Sequence, residues 1–167
     1  MSCMSTQKIR LANIEARWML NNIVADSGGN IAFPVDVHRI IDVLDIVLDV
    51  VEPANGSHNT ISWREQNQRA CITTVCADDT DMQLRYELAV AVALIHYTNA
   101  TKGKRVAMDI DLDDDSEAMR FARGFARELL APARDVIQRH NNGFNVGALS
   151  RIFLVPESVV AAILLDS

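Results

Sequence analysis

Five aspartates crowd into seven residues of this chain, Asp109, Asp111, Asp113, Asp114 and Asp115. Alternating acids can supply oxygen ligands to calcium. A calcium loop also needs a central glycine for its turn and a distal glutamate, and this run lacks both. The ordinary reading is a set of acidic residues at a helix N-terminus, where the macrodipole favours them. His38, His58 and His140 lie far apart, without ligand spacing. Cys3, Cys71 and Cys76 make an odd number with no framework spacing, which points to free thiols in a reducing compartment. Cys71 and Cys76 bracket an apolar run, CITTVC, and read as buried thiols. No nucleophile elbow and no phosphate-binding glycine loop is present. Arg120, Arg123, Arg127 and Arg134 stand out on an acidic chain, and their spacing places them on one helix face. Such a row could meet an acidic partner or nucleic acid, or be paired with nearby Asp and Glu.

The elements that would position these groups follow from periodicity. Ile9, Leu11, Ile14, Trp18, Leu20 and Ile23 form an apolar stripe that predicts a helix from about Thr6 to Ala25. Gly28 and Gly29 end it. Pro34 opens a second helix at its first turn, with Val35, Val37, Ile40, Ile41 and Leu44 as its buried face. Strands are expected at Ile46 to Val51, Ile61 to Trp63 and Ala70 to Cys76, the last two as a hairpin, and Pro53, Asn55 and Gly56 form a turn. Asp78, Asp79 and Thr80 offer caps for a helix from about Asp81 to Ala100. Its middle is apolar all round, so it should be the buried central helix. Lys102 to Arg105 is a basic turn. Further helices are expected over Ser116 to Leu130, Ala133 to His140, Val146 to Phe153 and Glu157 to Leu165.

At 167 residues the chain has the size of one domain, and a hydrophobic fraction of 49% can fill a core. A net charge of −6 argues against non-specific nucleic-acid binding, which needs a basic surface. The apolar run from Leu88 to Ile95 is far short of a membrane span, which takes about 20 residues, and the first residues lack the apolar stretch of a signal peptide. A cytoplasmic protein is the expectation.

Several strings, in order, resemble the ImmA/IrrE family of zinc peptidases. PVDVHRIIDVLDIVLDVVE, Pro34 to Glu52, matches that family's helix-and-strand start. RYELAVAVALIHY, Arg85 to Tyr97, resembles the helix that carries His-Glu-x-x-His. FARGFARELLAP, Phe121 to Pro132, resembles the second helix, and ALSRIFLVPESVVAAIL, Ala148 to Leu164, the helical tail. The likeness covers about Ile9 to Leu164. It implies an α+β, zincin-like minimal domain: N-terminal helices, a small three-stranded sheet, a buried central helix, and a helix-turn-helix-like tail from about residue 133 to 167.

The family's chemistry needs two histidines four apart on one helix face to bind zinc, and a glutamate beside the first as general base. The resemblance places Val90 and Leu94 at the histidines, Ala91 at the base and Phe121 at the third ligand. None of these can ligate a metal or move a proton. Glu117 would be the third ligand only if the alignment carries a gap. His96 lies two residues past Leu94 and points about 200° away from it around the helix. The resemblance therefore implies a degenerate member without zinc or other cofactor, acting by contact with a protein: a helix-turn-helix repressor, a toxin or a second copy of itself. Such proteins serve the control of phages and mobile elements. Two other readings stay open. One is an enzyme with a relocated, non-zinc site, which needs polar groups clustered in a pocket. The other is a DNA-binding regulator using the tail and the arginine row, although ESVVAAILL, Glu157 to Leu165, lacks the side chains that read bases.

Overall fold

The computed structural model describes residues 2–51, 61–66, 69–74, 80–100 and 108–166. His58, Cys76, the caps Asp78 and Asp79, the turn at Pro53 to Gly56 and the basic turn at Lys102 lie outside them, as does the side chain of Cys3. The described residues form an α+β structure with seven α-helices and a small mixed sheet. The helices are α1 (Ser2–Met19), α2 (Val37–Val43), α3 (Met82–Ala100), α4 (Glu117–Leu130), α5 (Ala133–Asn141), α6 (Val146–Phe153) and α7 (Glu157–Leu165). The strands are β1 (Val47–Val50), β2 (Ser62–Gln66), β3 (Arg69–Thr74) and the two-residue β4 (Met108–Asp109).

The sheet order is β1-β3-β2-β4. β2 and β3 form the expected antiparallel pair, with Trp63 opposite Ile72. β1 lies parallel to β3, Val47 beside Cys71. Two chemical devices bring β1 into place. Asp36 caps α2 by accepting from the Arg39 N–H at 3.0 Å. Asp45 then turns the chain in the left-handed region, φ 55°, which aspartate tolerates better than most residues. Pro34 is thus not in the first turn of α2: the Asp36 cap starts the helix at Val37, and Pro34 stands exposed ahead of it. Among the described residues Asp81 caps α3, accepting from the Gln83 and Leu84 N–H groups at 2.9 and 3.0 Å.

α3 is the central helix, buried without a break from Leu88 to Ile95. α4 packs against α3 on one side and against α1 on the other, and these are its most extensive contacts. α4 begins where the Ser116 hydroxyl accepts from the Met119 N–H and ends just before Pro132. At the tail, α6 and α7 meet at a bend of 115°. Arg85, 4% exposed, ties this tail to the α3 layer: it donates to the Val35 carbonyl at 2.6 Å and to the Leu154 carbonyl at 3.3 Å. Phe33 meets Phe153 edge-on, with centroids 4.8 Å apart. No single helix among the described residues is long and apolar enough to cross a membrane. Cys71 is a buried free thiol.

α1 corrects the stripe drawn from its sequence. Leu11, Ile14 and Trp18 are 48%, 54% and 54% exposed. The buried face is Ala12, Ala16, Met19, Leu20 and Ile23. Small residues let α1 approach α4 closely; a Cβ on Gly124 would sit 3.7 Å from the Ala12 methyl. A stripe of larger residues cannot fit so narrow a seam. A π-helical turn, Leu20–Val24, closes the helix.

Candidate functional site

The four positions that the resemblance assigns to chemistry all fall inside the core. Val90 and Ala91 are 0% exposed, Leu94 1% and Phe121 4%. Two contacts fix how α3 and α4 face each other. The Tyr97 ring lies 5.1 Å from the Phe121 ring, near the C-terminal end of α3 and the N-terminal end of α4. Tyr86, near the start of α3, lies in the field of Arg123 and Arg127 on α4. The two helices are therefore antiparallel. At about 100° per residue, Tyr86, Val90, Ala93 and Tyr97 share the face turned to α4, with Leu94 on its shoulder. The side chains along this seam are apolar except at its two phenolic ends. Phe121 also stacks toward Phe125, with centroids 6.0 Å apart.

Glu117 stands at the mouth of the seam. It accepts a hydrogen bond from the Tyr97 hydroxyl at 2.7 Å. That bond holds the Tyr97 phenol above its usual range, with burial adding to it. Burial also pushes the Tyr86 phenol up, against the opposing pull of the two arginines. His96 points away from Leu94, as its helical position requires; its ring borders the seam on the α1 side, 5.9 Å from the Phe125 ring, and its Nε2 lies 3.1 Å from Glu15 on α1. His140 lies on α5 with its Nδ1 3.0 Å from the Phe144 carbonyl. Among the described residues no three His, Cys, Asp or Glu side chains gather closely enough to hold a metal.

The arginine row and the acidic run prove to be partners. Arg123 donates to the Leu112 carbonyl and, at 2.8 Å, to the Asp114 carbonyl. Its other amino group is 3.5 Å from Asp115. Arg120 pairs with Asp115 at 3.3 Å, and Arg127 with Asp166 at 3.1 Å. Asp114 in turn accepts from the Ser116 hydroxyl and N–H, which hold its carboxyl below the usual range. Arg134 does not share the α4 face. α4 stops at Leu130, and Arg134 belongs to α5, across the break at Pro132. The run of four arginines is one latched trio and one separate residue.

Several clefts among the described residues hold polar groups, including an open one of about 520 Å³ along α5 at Arg134, Gln138 and Asn141. One of about 180 Å³ lies between α3 and the sheet, lined by Asp45, Arg69, Ile95, His96 and Asn99 among others. That is below the usual size of a small-molecule site, roughly 300–1,000 Å³. Its polar groups are also engaged: Arg69 pairs with Asp45, and the His96 Nε2 lies 3.1 Å from Glu15. Another, about 340 Å³, lies between α1, α4, α5 and α7, with Gly124, Ile137 and Ile163 among its apolar lining and the Arg127–Asp166 pair beside them. Glu128, 4% exposed, lines it too. It accepts from Arg17 at 2.6 Å and from the Ala133 N–H at 3.2 Å, so it joins α1 to the start of α5. Neither of these last two clefts sets a nucleophile beside a base.

The feature that the sequence concealed is the outward face of α1. Leu11, Ile14 and Trp18 are spaced by three and four residues and turn away from the α4 seam. Together they expose an apolar patch on the order of 300 Å², the size of the largest patch on an ordinary monomer, which is often functional. The signal was present as two apolar sets on one helix, one small and one large.

Comparison of the chain with protein-family models, curated proteins and solved structures finds no match.

Proposed function

We propose that this chain is a protein-binding module on a degenerate zinc-peptidase plan, zincin-like in the manner of the ImmA/IrrE family, and that it acts by contact and not by hydrolysis. One observation carries the reading. Val90, Leu94 and Phe121 line the seam between α3 and α4 with apolar side chains, and Ala91 is buried on another face of α3, so the four positions supply no metal ligand and no base. The order of elements agrees with that plan: helices, a small sheet, a buried helix, then a second helix packed on it. The contact surface we assign is the outward face of α1, since Arg120, Arg123 and Arg127 are already engaged within the chain. On this reading the partner is a helix-turn-helix repressor, a toxin or another copy of the chain.

The test joins metal analysis to a cleavage assay on an unfolded protein, after incubation of the purified chain with zinc. The reading expects no stoichiometric zinc and no zinc-dependent cleavage. About one zinc per chain, with cleavage abolished in Glu117→Ala, would overturn it. A crosslinking experiment in the native cell adds the positive arm: adducts formed by the wild-type chain should be lost in Ile14→Asp at unchanged melting temperature. Adducts that persist unchanged in that variant would remove α1 as the contact surface.

A further inference from the structure

We infer that the outward face of α1 binds the same face of a second copy, with the two α1 helices parallel about a two-fold axis. This rests on the reading of the chain as a binding module and names its partner. α1 is two-sided. Its small residues, Ala12 and Ala16, are buried toward α4, and its bulky ones, Leu11, Ile14 and Trp18, are half exposed. A helix that only had to seat on α4 would carry polar groups on its outer face. The outer three follow the a-d-a spacing of a helix-pairing heptad.

Charge selects the partner and its direction. With Leu11 at a, Arg10 falls at g and Glu15 at e, and Arg17 at the next g. Arg10 is exposed, and Glu15 is partly exposed with only its Oε2 on His96. In a parallel pair, g faces the e position five residues on. Arg10 then meets Glu15 of the partner subunit, twice by symmetry. An antiparallel pair would instead set Arg10 against Arg17 of the partner subunit. An anionic bilayer would have to accept a chain of net charge −6. The apolar patch, on the order of 300 Å² per copy, is below the roughly 800 Å² per partner of standard stable complexes. The dimer is accordingly expected to be a weak one.

Sedimentation equilibrium of the full chain, from about 1 to about 500 µM, tests this. The wild type should pass from monomer to dimer over that range. Ile14→Asp should stay monomeric, as should Trp18→Asp, which serves if the first variant does not fold. Arg10→Glu and Glu15→Arg should each weaken the dimer about five- to tenfold, and a mixture of the two should pair again, because their flanks complement. A wild type monomeric throughout overturns the inference, as does a dimer indifferent to Ile14→Asp or to the charge changes. A blue shift of tryptophan emission with phosphatidylserine vesicles, lost in Trp18→Asp, would overturn it in favour of a lipid surface. The wider binding reading fails separately, on zinc-dependent cleavage.

Discussion

The Tyr97 hydroxyl, on the last turns of α3, is 2.7 Å from Glu117, the first residue of α4. Glu117 is the carboxylate that a gapped alignment would offer to a metal, and here it is tied to a phenol. With the donor bound to a carboxylate, losing the phenolic proton would place two negative charges side by side.

Tyr86 and Tyr97 are the only tyrosines of the chain, so the tyrosinate absorbance near 295 nm reports on them alone. Both are raised, Tyr97 chiefly by its bond to Glu117 and Tyr86 chiefly by burial. Neither should ionise at the usual value of about 10. In Glu117→Gln the Tyr97 step should move down while the Tyr86 step stays. The linkage sign follows for buried Tyr86. Its folded pKa lies above the unfolded one, so its contribution is complete below about pH 10 and is lost as pH rises through the folded value. Alkaline unfolding should accordingly set in above pH 10. A phenol titrating at or below 10 in the native protein would contradict this.

Phe121 touches the rings of Tyr97 and Phe125 and is 4% exposed. Phe121→Ala should cost about 3–5 kcal/mol in denaturant unfolding. A loss under about 1 kcal/mol would mean an open groove. Val90→His, Ala91→Glu, Leu94→His and Phe121→Glu together should cost still more without metal, since four polar groups would enter an apolar seam without partners to orient them. Tight zinc binding at unchanged melting temperature would show a seam able to open.

Much of the chain was legible from local pattern. α6 and α7 run over the residues that their periodicity and the prolines predict, and α3 starts one residue from its expected position. What escaped has a long-range cause. The parallel pairing of β1 with β3 depends on the Asp45 turn, which periodicity does not report. The outward set on α1 shares one apolar stripe with the buried Leu20 and Ile23, and hydrophobicity does not say which of two apolar faces meets α4. Gly124, more than a hundred residues away, bears on that choice by letting Ala12 approach α4 closely. The arginines looked like a binding row because their acceptors, two of them main-chain carbonyls, have no signature in sequence.

Arg123 should prove to be a latch. Arg123→Ala frees the carbonyls of Leu112 and Asp114 and should cost about 1–3 kcal/mol, the range for hydrogen bonds from a charged donor. Arg120→Ala removes only an exposed pair with Asp115 and should cost under about 1 kcal/mol. Amide exchange over residues 111–116 should quicken in the first variant alone. Equal costs would mean that the loop is not held through Arg123.

Gly124 lies inside α4, where glycine is unfavourable by about 0.5–1 kcal/mol relative to alanine. Its φ is not in the left-handed region, and an added methyl would meet Ala12 at 3.7 Å, an ordinary contact. Gly124→Ala should therefore stabilise the protein by about that amount. A longer side chain must pass Ala12 to reach the cleft that Gly124 lines, and so presses on α1, whose Ala12 and Ala16 are fully buried. Gly124→Leu should cost about 1–3 kcal/mol through overpacking. Because α1 also bears Leu11, Ile14 and Trp18, shifting it should disturb any contact made by that face, while Gly124→Ala should leave such contact intact. The pair thus separates the helix seam from the helix surface. A destabilising Gly124→Ala, measured by denaturant midpoint at unchanged slope, would mean that α1 and α4 lie closer than the 3.7 Å contact allows.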